Sequence, residues 1–315
     1  MKKILFLLLF CASILRGQQS PIFMMYRDQN SLLNPAMPST NYLINEYNNS
    51  ISATYHYQFI GVPDAPITQA LTWECLPRDK NILIGVTLFN DKMGAIGTMG
   101  LRGQFAYKME LSKFENRILT IGLSGGAQRF RANLTDIAAE RGITLGSEDY
   151  KAHFLPDLNM GVFYNEGKVF YVGLSTSQLL NTTVQLRQTI NASETIRKPR
   201  EVYAMGGMYI DAPFFGNDGA YLEPAVWLRY VPNNPKALTF DVNLRAKISN
   251  SFWVGTGFNA FSRSLSIETG SILGESIGLD GSQVKIGLSF GFPISSTVTG
   301  FGPNGEVHLS YSWGN

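Results

Sequence analysis

From Met99 to Leu111 the chain alternates without a break. Met99, Leu101, Gly103, Phe105, Tyr107, Met109 and Leu111 fall on one side of an extended strand, and Gly100, Arg102, Gln104, Ala106, Lys108 and Glu110 fall on the other. Successive β side chains point to opposite faces, so one face of this segment is uncharged and the other is charged. The pattern returns at 238–248, where Leu238, Phe240, Val242, Leu244, Ala246 and Ile248 oppose Thr239, Asp241, Asn243, Arg245 and Lys247. A soluble β-sandwich alternates too, with its apolar face hidden and its polar face wet. Alternation alone therefore leaves two classes open: soluble all-β domains, or a barrel whose greasy side faces lipid.

The start of the chain bears on that choice. Lys2 and Lys3, the apolar run Ile4–Phe10 and small residues before Gly17 make residues 1–17 read as a secretory signal peptide, with a mature chain from Gln18. Cys11 follows Phe10 rather than the small residue that a lipoprotein cleavage site needs. Beyond residue 17 only Cys75 remains, so no intramolecular disulfide is expected. Without Lys2, Lys3 and Arg16 the basic residues fall from 26 to 23 against 24 acidic ones, and such a near-neutral chain gives no support to nucleic-acid binding. After the signal there is no run of about 18 apolar residues, so no spanning helix is expected.

Period-two segments bounded by Gly, Pro, Asn and Asp fall at 51–59, 67–76, 81–90, 98–112, 117–130, 156–165, 168–177, 201–211, 220–230, 237–248, 251–260, 263–273, 282–292 and 305–313. Fourteen is an even number, as in single-chain bacterial barrels, and most segments have the ~9–11 residues needed for a tilted crossing. The two longest connections, 131–155 and 178–200, fall on the same side of this arrangement, as outer loops opposite short periplasmic turns would. The expected fold is all-β: a transmembrane antiparallel outer-membrane barrel over 51–315, with both termini periplasmic. Residues 18–50 are too irregular for a strand and are expected to plug the lumen or lie beneath it. The last strand is expected to turn Val307, Leu309, Tyr311 and Trp313 outward, and Tyr57, Phe59, Tyr164 and Tyr230 read either as an aromatic girdle or as ordinary β-formers. Segment 201–211 and Gln69 in the second strand fit the pattern poorly.

Arg102, Lys108, Glu110, Glu223, Arg229, Asp241, Arg245, Lys247, Glu268, Lys285 and Glu306 all fall on the inward side. Mixed signs favour a lattice of pairs, for instance Glu223 and Arg229 against Asp241 and Arg245, over a single-sign filter. Catalysis finds little to work with. His56 and His308 face inward on strands that meet at closure, His153 is expected in a loop, and no Gly-x-Ser-x-Gly, His-Glu-x-x-His or Cys-x-x-Cys occurs. No cofactor or metal is expected. Gly122, Gly125 and Gly126 lack the Lys-Ser/Thr of a phosphate loop and read as strand glycines that permit close backbone approach.

Several blocks resemble the PorP/SprF family of type IX secretion outer-membrane proteins of Bacteroidota. Ser31–Ala36 is similar to its Asn-Pro-Ala segment, and His56–Gln69 to its Gln-Trp-x-Gly…Ala-Pro-x-Thr-Gln stretch, with Phe59 for the usual Trp. Ile84–Gly94 resembles its Asn-Asp block, and Phe170–Ser175 and Gly305–Tyr311 two further segments. The Gly expected after Asn-Pro-Ala is absent. The resemblance implies a non-enzymatic outer-membrane barrel that associates with translocon components and docks a secreted substrate or gliding adhesin. A diffusion channel or solute transporter is the competing reading. Candidate partner-binding residues are Asn34, Pro35 and Asp91 in the family blocks, and Arg187, Arg197, Lys198 and Arg200 in the loop 178–200. That loop, and the acidic loop carrying Asp136, Glu140, Glu148 and Asp149, read equally as docking faces or solvated connections.

Overall fold

A computed structural model describes residues 23–314, apart from 79, 95, 113, 134–149, 190–191, 217–218, 233, 235–237, 261, 275–276 and 295–301; within strands, the side chains of 132–133, 150–153, 184–189 and 192–197 are also outside the description. The barrel strands are β1 (Asn49–Tyr57), β2 (Ile67–Cys75), β3 (Ile82–Met93), β4 (Ile96–Ser112), β5 (Arg117–Asn133), β6 (Tyr150–Glu166) and β7 (Phe170–Ser177). The circuit continues through β8 (Glu201–Met208), β9 (Tyr221–Tyr230), β10 (Thr239–Lys247), β11 (Phe252–Asn259), β12 (Ser264–Leu273), β13 (Ser282–Pro293) and β14 (Asn304–Trp313). Each strand pairs antiparallel with its chain neighbours, and β1 pairs with β14, from Asn49↔Trp313 to Tyr57↔Gly305. The result is a closed fourteen-stranded barrel.

Closure leaves no strand edge inside the lipid layer, where an unpaired backbone group would have no water to bond. The two faces then separate as the alternation demands. Leu101, Phe105, Leu123, Ile267 and Leu309 each expose about half their surface on the outside, while Gln104, Asn243, Glu268 and Ser310 are buried inside. In β14, Val307, Leu309 and Tyr311 point out and Glu306, His308, Ser310 and Ser312 point in.

Differences from expectation have local causes. Segment 201–211 divides into β8 and a two-residue pairing, Ile210–Asp211, with β9. Its inward Tyr203 and Met205 are buried, whereas Met208 is exposed. Gln69 breaks the outward stripe beside Asn90, its register partner in β3, whose Nδ2 donates to Gln69 Oε1 at 3.1 Å. This polar pair lies at the long-loop end of both strands, outside the apolar belt. Glu110 is exposed where β4 shifts register against β5.

Strands β5 and β6 run further than expected, so residues 131–133 and 150–155 are strand rather than loop. His153 lies in β6 opposite Phe130, not in a connection. Pro156 obscured this extension. The Leu158 carbonyl accepts the Leu179 N–H at 2.9 Å on the β7 side. Two residues earlier, Pro156 turns its missing N–H to that same side, beyond the end of β7, where no ladder bond is lost. Within 178–200, Thr183–Thr189 and Ala192–Arg197 form a separate hairpin.

Residues 23–48, before β1, lie inside the barrel. They carry a short 3-10 turn (Tyr26–Asp28), then α1 (Asn30–Leu33) and α2 (Thr40–Asn45). Phe23 sits beside His56 near the long-loop end, and the segment descends through the lumen to enter β1 at the turn end. A closed ring of backbone hydrogen bonds should resist detergent at room temperature: the unboiled protein is expected to migrate faster than the boiled protein on an SDS gel, and identical migration would contradict the closed barrel.

Candidate functional site

Two places gather polar side chains that the wall alone does not satisfy: the lumen around residues 23–48, and its mouth at the long-loop end. In the lumen, Arg245 of β10 reaches past β11 to Glu268 of β12, with Nε 3.2 Å from Oε1. The intervening residue of β11 is Gly255, where a side chain would collide with Glu268. The segment then adds both signs. Arg27 Nη2 donates to Glu268 Oε1 at 2.6 Å, and its Nη1 lies 3.5 Å from Glu223 Oε2. Asp28 accepts from Arg245 at 2.9 Å and from Lys285 at 2.5 Å.

Three cations and three carboxylates thus form one buried cluster, and Arg245 also stacks over Trp253 at 4.0 Å. The expected cross-strand pairing is corrected in detail. Asp241 accepts from Asn243 and Asn259 rather than from Arg229, and Arg229 lies 3.9 Å from Glu201. The reason is that arginine's reach across a glycine, and the charges brought by the segment, outbid the nearest neighbour in register.

Neutral contacts continue along the segment. Gln29 bonds Thr54 and Thr72, Asn41 bonds Ser312, and the Ser39 N–H donates to Glu74. The N–H groups of Met24 and Met25 both donate to Glu306. His56 lies 3.5 Å from Glu306, and Thr54 Oγ1 and His308 Nδ1 are 2.8 Å apart, so both lumenal histidines are engaged by neighbours. On the far wall, Tyr26, Leu33, Ala36 and Met37 pack with Phe163, Tyr171, Tyr203, Met205 and Trp227.

Asn34 and Pro35 belong to this interior contact. Asn34 is fully buried; its Nδ2 donates to the Val162 carbonyl at 3.1 Å and its Oδ1 accepts the Ala36 N–H at 2.9 Å. A side-chain carbon at Gly122 would strike Pro35, and one at Gly161 would strike the Asn34 amide. Three inward glycines, Gly122, Gly161 and Gly173, make the notch that receives Asn-Pro-Ala. In this structure the partner of Asn34 and Pro35 is therefore the barrel wall itself.

At the mouth, Lys198 folds back from the loop 178–200. Its Nζ donates to Gln128 at 2.8 Å and to Thr98 at 3.2 Å, and lies 5.7 Å over Phe130. Burial pushes its pKa down to about 8, with Asp157 opposing. Asp91 accepts from Thr68 at 2.6 Å on the same rim, and Arg102 is paired with Asp157 just below. Arg200 remains exposed and bonds the Leu179 carbonyl at 3.1 Å. Arg187 and Arg197 lie in the hairpin opposite Glu194 and Thr183, and their side chains are outside the described residues, as are Asp136, Glu140, Glu148 and Asp149. The structure thus brings Asp91 and Lys198 to one rim and holds Asn34 and Pro35 deep below them. Sequence reasoning missed Arg27, Asp28 and Gln29 as organising residues; Glu306 was read as an inward charge, without its ties to Met24 and Met25.

Over residues 15–311 the chain matches the family described as type IX secretion system membrane protein PorP/SprF. The chain belongs to the PorP/SprF family. No curated protein is detectably similar in sequence. Among solved structures, the CymD monoaromatic hydrocarbon channel is similar at TM-score 0.55 and 11% identity, covering 91% of this chain and 93% of that one. A Pseudomonas aeruginosa FadL homologue is similar at TM-score 0.50 and 9% identity, covering 89% and 92%. At such identities the likeness is one of fold: this PorP/SprF member is an outer-membrane barrel. Among its described residues no group of three His, Cys, Asp or Glu side chains gathers to hold a metal ion.

Two substitutions test the lumenal contact. Arg245→Ala leaves Asp28 and Glu268 short of a buried partner and should cost about 3–5 kcal/mol, measured by thermal or denaturant unfolding in detergent. Gly161→Val should expel Asn34 from its notch, raising hydrogen exchange across residues 23–48 while the barrel ladders stay protected. Unchanged exchange in that segment would contradict the docking.

Proposed function

We propose that this PorP/SprF barrel is a docking component of the type IX secretion system, receiving a secreted protein or gliding adhesin at its long-loop end and associating there or at its rim with translocon subunits. The long-loop end is read as facing the exterior, with the short turns and the last strand's end facing the periplasm. In this reading residues 18–48 act as a plug, and the barrel performs no chemistry of its own.

What supports the reading is the family membership joined to one structural observation: the lumen is occupied by the chain's own segment, tied by buried ion pairs to β9, β10, β12 and β13. A path for solutes needs a continuous opening, and binding weak enough to let them leave. A charge-balanced interior held by its own chain serves an anchored scaffold better. Loops on a rigid barrel are suited to recognition, because the scaffold holds them in place while they meet a partner. The second reading, a diffusion channel, draws on the similar fold of a protein described as a hydrocarbon channel.

Three measurements separate the readings. Deleting the gene is expected to strand a particular substrate inside the cell, whereas a channel would produce a growth defect on a particular solute. Affinity purification from the native membrane is expected to recover type IX components, and recovery of the barrel alone would favour the channel. In planar bilayers the intact protein should give no large stable step, and a variant lacking residues 18–48 should give one. Equal conductance of the two would overturn plugging.

A further inference from the structure

Strand β5 carries arginines at both ends of its outward face, in opposite electrical settings. The outward positions run Arg117, Leu119, Ile121, Leu123, Gly125, Ala127, Arg129 and Arg131. At the turn end, Arg117 is neutralised on the protein: Nη1 is 2.9 Å from Glu115 and Nε 3.3 Å from Glu166. At the long-loop end, neither Arg129 nor Arg131 has an ion-pair partner among the described residues. The Arg129 guanidinium lies 5.9 Å over the Phe154 ring, and its Nε is buried without a hydrogen-bond partner. Its register neighbours, Met99 of β4 and Phe154 of β6, are 56% and 76% exposed.

The spacing places these groups relative to lipid. Between Arg117 and Arg129 the strand rises roughly 30 Å, at about 3.3 Å per residue and a tilt of about 40°. That slightly exceeds the ~25 Å apolar band of an outer-membrane barrel. Both arginines therefore stand just outside the hydrocarbon, on the side that faces lipid rather than the lumen. Arg129 stands over the Phe154 ring and opposite Met99 in register, two large apolar side chains suited to the upper reaches of acyl chains, as an amphipathic side chain at the edge of the hydrocarbon does.

We propose that Arg129 and Arg131, flanked by Met99 and Phe154, form a binding surface for the phosphate groups of the phosphorylated glycolipid in the outer leaflet. A guanidinium fork matches phosphate in a bidentate way. Two arginines two residues apart on one face present adjacent forks, and no carboxylate of the described wall competes for them. Arg117 marks the other leaflet by contrast, since its countercharges are built into the chain. The assignment to the outer leaflet rests on the orientation proposed above.

The test uses the full-length protein purified in detergent, with its thermal unfolding followed while lipid is added to the micelles. The probes are diphosphoryl lipid A, the same lipid with both phosphates removed, phosphatidylglycerol, and poly-glutamate as a stand-in for an acidic protein segment. Diphosphoryl lipid A is expected to raise the unfolding temperature of the wild type, and the phosphate-free lipid to leave it nearly unchanged. The variant R129Q/R131Q should bind diphosphoryl lipid A about tenfold more weakly, as loss of a charge-assisted hydrogen bond implies. R117Q should bind it as the wild type does. An unaltered response of R129Q/R131Q, or stabilisation by the phosphate-free lipid, would overturn the site. An equal Arg-dependent response to phosphatidylglycerol or poly-glutamate would overturn the glycolipid as occupant. Micelles contain no secretion apparatus and have no sides, so failure here leaves the docking role standing. The orientation is checked separately, by labelling a cysteine placed in the 112–116 turn on intact cells, where labelling would refute it.

Discussion

Inside a hydrocarbon layer a backbone N–H or carbonyl finds no partner but another backbone group, and each one left bare costs several kcal/mol. A chain that crosses as strands must therefore close its sheet, and this one does so through β1 against β14. Closure has consequences that run through the whole molecule. The outward half of every alternation must be apolar, which sends the polar half inward. Fourteen strands enclose more space than the wall's own side chains fill, since about eight already suffice for a filled interior. Buried polar groups facing such a space need either water or a second layer of protein. Here the second layer is the chain's own segment from Phe23 to Asn48, whose backbone and side chains meet the inward groups of β1, β2, β6, β10, β12, β13 and β14.

Much of the wall was legible because its signal is local. Period two is carried by neighbouring residues, so fourteen strand segments could be read, with facings clear in the most regular of them, down to Glu306 and His308 on the inside of the last one; 201–211 and the inward placing of Glu110 were the weak points. Where reading failed, the determining contact was remote. Pro156 looked like the end of a strand until the end of β7 showed that its side of β6 has no ladder partner there among the described residues. Arg27 and Asp28 carry no local pattern, and their partners are Glu268 and Lys285, more than two hundred residues away. One signal was present and undervalued. Gly122, Gly161 and Gly173 are inward glycines in a barrel wide enough to have no need of small residues. They make sense only if another stretch of chain presses against the wall there, and that stretch is Asn34-Pro35-Ala36.

The segment is held by two different kinds of contact. Tyr26, Leu33, Ala36 and Met37 bury apolar surface against the aromatic cluster of β6 to β9, a non-directional attraction proportional to area. Arg27 and Asp28 instead enter a network whose worth depends on every member being in place, because a buried charge that loses its partner keeps its desolvation cost. The two signs arrive on adjacent residues, so the segment brings no net charge to the cluster. The wall groups they meet, Arg245 and Lys285 against Glu223 and Glu268, also balance without it. Withdrawal of the segment would expose polar surface to water without leaving a net charge in this cluster. Balance of this kind permits a removable occupant, where a net-charged wall would demand a permanent one.

Both closures of the lumen meet at the same end. The first described residues are tied to Glu306, beside His56, and Lys198 leans from the loop 178–200 onto Gln128 and Thr98. Neither tie is part of the barrel ladder. In the proposed docking role, a partner at the long-loop end meets contacts that can exchange without breaking a strand pair, and it can offer the same chemistry: a cation for Gln128 and Thr98, or donors for the Glu306 carboxylate. The wall is closed by the demands of lipid and its contents are held by other contacts, and in the proposed docking role that division lets one barrel serve as both an anchor and a receptive surface.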